Sequence, residues 1–76
     1  MDIKILGTGC PKCKQLEANA KEAVARLGSD AVVEKVSELA KIMEYGVMMT
    51  PALVIDGVVK SSGKVLSSAE IMEMLK

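Results

Sequence analysis

Aromatic side chains are nearly absent from this chain of 76 residues, which has no Trp, no Phe and a single Tyr, Tyr45. An apolar core must therefore be built from Ile, Leu, Val, Ala and six Met, and Met fills gaps without fixing a geometry. Histidine is missing as well, and the chain has two Cys in all. One chain therefore cannot complete a four-ligand zinc site from Cys and His alone.

An excess of charge of one sign is also missing, because ten basic and ten acidic residues cancel and no cluster of Lys or Arg stands out. Nucleic acids and anionic membranes are bound by basic faces, so neither is an expected partner. The N-terminal segment lacks the basic and long apolar regions of a leader, and no apolar run could span a bilayer. We therefore expect a cytoplasmic protein, with residues 1–76 forming a single domain.

Both cysteines lie in one short segment, Gly9-Cys10-Pro11-Lys12-Cys13, which follows an apolar run and opens a helical pattern. The first sulfur is thereby expected at a helix N-terminus, where unpaired backbone N–H groups and the helix dipole favour a thiolate. A disulfide across so short a loop would remove little entropy from the unfolded chain. In a reducing cytosol, a lone Cys-x-x-Cys is more often redox-active or metal-binding than structural. The segment therefore predicts reactive thiols.

The first elements are a strand and a long amphipathic helix. The strand over residues 2–8 alternates between apolar and polar side chains at Ile3, Lys4 and Ile5 and then ends in a glycine-rich loop. Pro11 suits the first helical turn, and Gly28 is expected to end the helix. Apolar residues recur at spacings of three and four along it, at Cys13, Leu16, Ala20, Ala23, Val24 and Leu27. Cys13 is therefore expected to be buried, whereas Cys10 precedes the helix and is expected to be exposed.

A second strand and a short helix follow. Residues 31–36 predict the strand, and Ser37 is the expected N-cap of the helix, which Gly46 would end. We expect this helix to turn three side chains inward, those of Leu39, Ile42 and Met43. Tyr45, near the end of the helix, is expected to pack and to play no part in catalysis.

The last part of the chain predicts a hairpin and a helix. The apolar run over residues 52–55 is a third strand, Asp56-Gly57 is a hairpin turn, residues 58–60 are the return strand and residues 61–63 form a loop. Ser67 and Glu70 form a capping box for a last helix. Its apolar side carries Ile71, Met72 and Leu75. The order β-α-β-α-β-β-α predicts a mixed α/β sheet of four strands in the order 2-1-3-4, with helices on both faces.

Cys-Pro-Lys-Cys after the first strand, Thr50-Pro51 before the third strand and this element order together resemble a minimal thioredoxin fold. In detail, Gly-Thr-Gly-Cys-Pro-Lys-Cys with Thr-Pro-Ala-Leu-Val-Ile-Asp-Gly is similar to the small prokaryotic thioredoxin-like, or redox-active disulfide, proteins. Glutaredoxins are more distant relatives. The resemblance covers essentially the whole chain. It implies a protein disulfide oxidoreductase in which Cys10 is the nucleophile, Cys13 is the resolving thiol and their disulfide replaces any cofactor.

The resemblance also implies a substrate groove and partners. Pro51 would be cis and face the disulfide, and Thr50 would contact an extended target segment. Gly9, Pro11 and Lys12 would support the site; Lys12 would stabilise the Cys10 thiolate unless it is simply a solvated helix residue. Partners would be disulfide-containing proteins and an electron donor of the thioredoxin reductase type, and the protein would be a monomer. The adjacent pair at residues 48–49, Met-Met, would either line the groove or pack within its loop.

Departures from the family pattern leave the target and the electron donor open. Gly9 stands where an aromatic residue usually precedes the first cysteine. Strand 1 has no carboxylate that could serve as the buried proton acceptor of typical thioredoxins, and Lys4 is the nearest charged residue. The basic and acidic groups with which glutaredoxins bind glutathione form no clear pattern here.

A metal carrier is the alternative interpretation. Two thiolates suit Cu(I), and the four sulfurs of a dimer would suit zinc or an iron–sulfur cluster. Small copper chaperones have a similar length and a Gly-x-x-Cys-x-x-Cys segment, but their order is β-α-β-β-α-β. They also lack the Thr-Pro-apolar-Asp-Gly block. The sequence therefore favours redox chemistry and assigns no residue to a metal.

Overall fold

A computed structural model describes residues 1–9 and 11–75 of the chain. Its elements follow the predicted order: β1 (Asp2–Leu6), α1 (Pro11–Leu27), β2 (Val32–Val36), α2 (Leu39–Glu44), β3 (Ala52–Ile55), β4 (Val58–Ser62) and α3 (Ser68–Leu75). The strands form one sheet in the order β2-β1-β3-β4, which confirms the predicted topology. β1 runs parallel to β2 and antiparallel to β3, and β3 runs antiparallel to β4.

Helix α1 has the boundaries and the buried face that its sequence predicts. It begins at Pro11, where a backbone N–H would have no partner within the helix, so its absence costs nothing. It ends in a Schellman motif, in which the N–H of Gly28 (φ +62°) donates to Ala25 O over 3.2 Å and the N–H of Ser29 to Val24 O over 3.1 Å. Its buried side chains are Cys13, Leu16, Ala20 and Ala23.

Two apolar clusters cover the two faces of the sheet. On one face, α1 and α3 pack against β1 and β3 in a cluster formed by Ile3, Ile5, Leu16, Ala20, Ala23, Leu53, Ile55, Leu66 and Ile71. On the other face, the buried cluster is Leu6, Ile42, Val47, Ala52 and Val54, with Ile42 supplied by α2. Tyr45 packs against this second cluster, in agreement with its predicted packing role. Every residue of β3 is buried, as its central position requires.

The hairpin between β3 and β4 has the predicted turn and a longer return strand. Asp56 (φ +50°) and Gly57 (φ +82°) both have the positive φ of a type I′ turn. The predicted loop over residues 61–63 is wrong in its first two residues, because Ser61 pairs with Leu53 and Ser62 pairs with Ala52. A register shift lies between Leu53 and Val54, and beyond it the pairing continues to Ala52, the first residue of β3.

Helix α2 departs most from the expectation. Its N-cap is Glu38, which makes no side-chain capping bond, so the prediction of Ser37 as the cap is wrong. Leu39 and Met43 are 62% and 64% exposed, and Ile42 is the one buried residue of the helix. A helix of six residues reaches this face of the sheet through few side chains, and Tyr45 and Val47 after it fill the remaining space.

Helix α3 begins with the predicted capping box. The N–H of Glu70 donates to Ser67 Oγ over 3.2 Å, and the N–H of Ser67 donates to Glu70 Oε1 over 3.2 Å. Ile71 is fully buried, and Met72 and Leu75 pack against the same cluster. Among residues 1–9 and 11–75, none of the helices is both long and apolar enough to cross a membrane.

Candidate functional site

Three chain segments meet at one end of the two central strands. Leu6, the last residue of β1, pairs with Ala52, the first residue of β3, and Ala52 pairs with Ser62, the last residue of β4. The segment that leaves β1 therefore lies beside Pro51, and Gly63 lies on the other side of Pro51. The described residues of the two motifs, about forty positions apart in the sequence, are thus brought to the same edge of the sheet.

The Cys-x-x-Cys segment links β1 to α1 at this edge. Cys10, the predicted nucleophile, lies outside the described residues. Its neighbours on either side are Gly9, which is half-buried with φ +92°, and Pro11, the exposed first residue of α1. Lys12 is exposed on the first turn of the helix. An exposed ammonium group here fits both interpretations of Lys12, as a charge near the thiols and as a solvated helix residue.

Cys13 lies on the inner side of the first turn of α1, where 1% of the residue is exposed, as its place on the apolar stripe predicts. Its sulfur lies directly against the backbone of Gly7. A Cβ atom added to Gly7 would overlap Cys13 Sγ and would stand 3.0 Å from Cys13 Cβ. The second sulfur of the motif is therefore enclosed between α1 and the end of β1.

Gly7 is the site residue that the sequence does not reveal. A glycine can be required for a positive φ or for the close approach of another group, and the structure divides these two requirements between Gly9 and Gly7. Gly9 needs a positive φ, but a Cβ added there would have nothing within 4 Å. Gly7 has no positive φ, and the requirement there is space for the Cys13 sulfur.

The peptide bond between Thr50 and Pro51 is cis, the geometry that the family resemblance implies. Pro51 is buried and Thr50 is exposed, so Thr50 presents its surface to solvent next to the Cys-x-x-Cys edge. The carbonyl of Pro51 accepts a 2.8 Å hydrogen bond from the N–H of Gly63. This bond ties the loop before β3 to the end of β4.

Two methionines precede Thr50, and they differ in their contacts. Met48 is 97% exposed, which rules out packing within its loop. Met49 is 63% exposed but also covers Gly63, since a Cβ added to Gly63 would lie 3.2 Å from Met49 Cε and 3.3 Å from Met49 Cβ. The rim beside Thr50 therefore presents flexible apolar side chains to solvent.

Charged side chains in the described part of the chain are exposed or half-buried. The buried residues there include no charged or polar side chain. Lys4 is half-buried in β1, between its register neighbours Glu34 in β2 and Val54 in β3. Within residues 1–9 and 11–75, no group of three or more His, Cys, Asp or Glu side chains is placed to hold a metal ion.

Comparison with known proteins gives a consistent result along the chain. The family model described as "Thioredoxin domain" matches residues 1–76. A thioredoxin of Methanothermobacter thermautotrophicus is 48% identical over 75 residues, which cover 99% of this chain and 97% of that protein. A thioredoxin of Methanocaldococcus jannaschii is 47% identical over 74 residues, which cover 97% of this chain and 85% of that protein. The likeness therefore extends over both motifs and the whole sheet.

Proposed function

The chain belongs to the thioredoxin family and is a thiol–disulfide oxidoreductase, and we propose that Cys10 and Cys13 form its redox couple. The observation that carries the assignment of roles is the burial of Cys13 against Gly7. A thiol that is 1% exposed cannot meet the disulfide of another protein directly. Cys10 is therefore assigned the first attack, and Cys13 the second, intramolecular one.

The proposed reaction has two exchange steps. The Cys10 thiolate attacks one sulfur of the target disulfide, so that a Cys10–target bond forms and the first target sulfur leaves as a thiolate. The Cys13 thiolate then attacks Cys10 Sγ; the Cys10–target bond breaks and the Cys10–Cys13 bond forms. The target has gained two electrons and takes up protons from solvent as its thiolates require. A reductase donor returns two electrons to the Cys10–Cys13 disulfide.

Disulfide substrates and a reductase donor are general partners of thioredoxins, and we propose how this chain meets them. An extended target segment would lie along Thr50 and Pro51, with Gly9, Pro11 and Lys12 on the opposite side. The donor would be of the thioredoxin reductase type. The reaction needs no bound cofactor, and a monomer with one domain over residues 1–76 is sufficient for it. A cytoplasmic location is proposed because both cysteines of the chain belong to the redox motif.

Transport of Cu(I) by the two thiolates is the less favoured function. The described elements follow the chain order β-α-β-α-β-β-α and end in a helix, whereas small copper chaperones follow the chain order β-α-β-β-α-β. No contact in the described residues favours a metal over the dithiol chemistry.

A redox titration tests the proposed couple. Metal-stripped protein is equilibrated in graded dithiothreitol buffers, thiols are trapped by alkylation, and their number is counted by mass spectrometry, since the chain has no Trp for a fluorescence signal. We expect one reversible two-electron transition that links Cys10 to Cys13. If the pair resists oxidation, or forms intermolecular disulfides alone, the proposal is wrong and Cu(I) affinity becomes the next measurement.

Serine variants test the order of the two attacks. Cys10→Ser should lose turnover of a protein disulfide with dithiothreitol as donor. Reduced Cys13→Ser, mixed with the protein disulfide after dithiothreitol is removed, should still make the first attack and accumulate the mixed disulfide. Ala25→Ser, on the exposed side of α1, is the matched control and should keep the activity of the unsubstituted protein. Full turnover by Cys10→Ser would contradict the assigned roles.

A further inference from the structure

We propose that Gly7 is a positioning residue for the resolving thiol, because its lack of a side chain provides the space in which Cys13 Sγ is held. This inference rests on the proposed roles of Cys10 and Cys13. The observation behind it is the overlap between Cys13 Sγ and a Cβ atom built on Gly7. At the other described glycines, Cys13 is not among the nearest atoms to an added Cβ.

Neither side of this contact can move away easily. The N–H of Gly7 donates to Val36 O over 2.9 Å, which extends the pairing of β1 with β2 by one residue, and Leu6 before it is fully buried. Cys13 is held by α1, in which Leu16 and Ala20 are fully buried in the core cluster. Protein interiors are packed as densely as organic crystals, so an added methyl group has no empty space to occupy. The side chain of Cys13 would have to change its position.

The requirement at Gly7 is one of volume. Gly7 does not have the positive φ found at five other glycines of the described chain, so its backbone conformation is open to alanine. A substitution by alanine therefore changes one thing, the space available to the Cys13 sulfur. That sulfur must reach Cys10 Sγ along the axis of the Cys10–target bond, and small displacements of reacting atoms slow such steps strongly.

An aryl disulfide, 5,5′-dithiobis(2-nitrobenzoate), separates the two steps when it is added at one equivalent to the reduced protein. Attack by the Cys10 thiolate releases a first coloured aryl thiolate and leaves the other aryl group bound to Cys10. Attack by Cys13 on Cys10 Sγ releases the second aryl thiolate and forms the Cys10–Cys13 bond. Each step thus has its own absorbance phase, and the two electrons taken from the protein are recovered in two aryl thiolates.

In Gly7→Ala the first phase is expected to keep its rate, and the second phase to slow by on the order of tenfold to a hundredfold. The matched control is Ile71→Val, which removes one methyl group from the same core cluster in α3 and lowers stability without touching Cys13. It should change neither phase. An unchanged or faster second phase in Gly7→Ala would overturn the inference.

Combination with Cys13→Ala keeps the test decisive if Gly7→Ala folds poorly. Cys13→Ala removes the sulfur that the added methyl group meets, so the destabilisation caused by Gly7→Ala should be smaller in that background, as measured by urea unfolding followed by circular dichroism. An equal destabilisation in both backgrounds, or a double variant that is unfolded while Cys13→Ala is folded, would place the defect in the backbone and refute the inference.

The two proposals fail in different ways. If the unsubstituted protein releases one aryl thiolate and stops, Cys13 is not the resolving thiol and the proposed function is wrong. If it releases two, and Gly7→Ala does so with the same ratio of rates, the proposed function stands and the role of Gly7 is refuted.

Discussion

At the scale of single residues, the glycines around the site are required for different physical reasons. Gly7 provides volume for a sulfur, and Gly9 adopts a positive φ in an open loop. Gly63 combines a positive φ (+74°) with a close contact to Met49, and its N–H donates to Pro51 O. A side chain at Gly63 therefore meets two penalties at once, one in the backbone and one against a neighbouring side chain.

This distinction predicts different costs for two alanine substitutions. Gly28→Ala should lower the free energy of unfolding by about 1 kcal/mol, because Gly28 has φ +62° but nothing within 4 Å of an added Cβ. Gly63→Ala should cost more, because the same backbone strain is joined by contacts of 3.2 and 3.3 Å to Met49. Urea unfolding of both variants checks this order. An equal loss of unfolding free energy in the two variants would show that the Met49 side chain moves aside at no cost and that its contact with Gly63 does not affect stability.

The residues of the site differ in how far the sequence could reveal them. Burial of Cys13 follows from the helical period, because its spacing from Leu16 and Ala20 fixes its face. The contact between Gly7 and Cys13 could not be read in this way. It depends on how closely α1 lies on the end of β1, which is a tertiary distance that no local pattern encodes.

At the scale of elements, the long helices are predictable and α2 is not. Helix α1 has seventeen residues and Gly28 after its last turn, so its period and its end are both marked in the sequence. Helix α2 has six residues, less than two turns. So few residues cannot show a repeating apolar pattern, and the sequence therefore does not establish which side of the helix faces the sheet. The length of the return strand is not predictable for a similar reason. Ser61 and Ser62 have the composition of a loop, and their place in β4 follows only from their pairing with β3.

The capping residues offer a direct test of this difference. Ser67→Ala should lower the free energy of unfolding by about 1 kcal/mol, because Ser67 Oγ accepts the N–H of Glu70 and donates to Glu70 Oε1. Ser37→Ala should stay within about 0.5 kcal/mol of the unsubstituted protein, because the cap of α2 is Glu38 and it has no side-chain bond. Thermal unfolding followed by circular dichroism measures both. A larger loss in Ser37→Ala than in Ser67→Ala would contradict the described caps.

At the scale of the whole molecule, strand register assembles the site. The pairs Leu6–Ala52 and Ala52–Ser62 bring the ends of three strands together, so that residues from distant parts of the chain share one edge of the sheet. The sequence predicts this assembly, because the crossover helix and the Asp56-Gly57 turn leave little choice of strand order. The burial of Cys13 is also expected from its place on the apolar stripe, but the sequence leaves open whether Met48 packs in its loop or lies exposed beside Thr50, as the structure shows.

Enclosure of Cys13 by the whole fold has a measurable consequence. In Cys10→Ser protein, iodoacetamide should reach Cys13 through opening of the domain, because Cys13 is 1% exposed and lies on the core side of α1. A domain of this size has an unfolding free energy of roughly 4–11 kcal/mol, so alkylation should be slower than that of an exposed thiol by about a thousandfold or more. The exposed reference is Ala25→Cys on the same helix, in a background of Cys10→Ser and Cys13→Ala.

The dependence of this rate on urea separates global from local opening. If Cys13 is protected by the fold as a whole, its alkylation rate rises with urea in parallel with the unfolding constant measured by circular dichroism. A fast rate that urea barely changes would show that the first turn of α1 opens by itself, and a second thiol would then be available to partners. Protection by the whole domain instead leaves Cys10 as the group that meets a target. The order of the two exchange steps would then follow from the packing of α1 against β1.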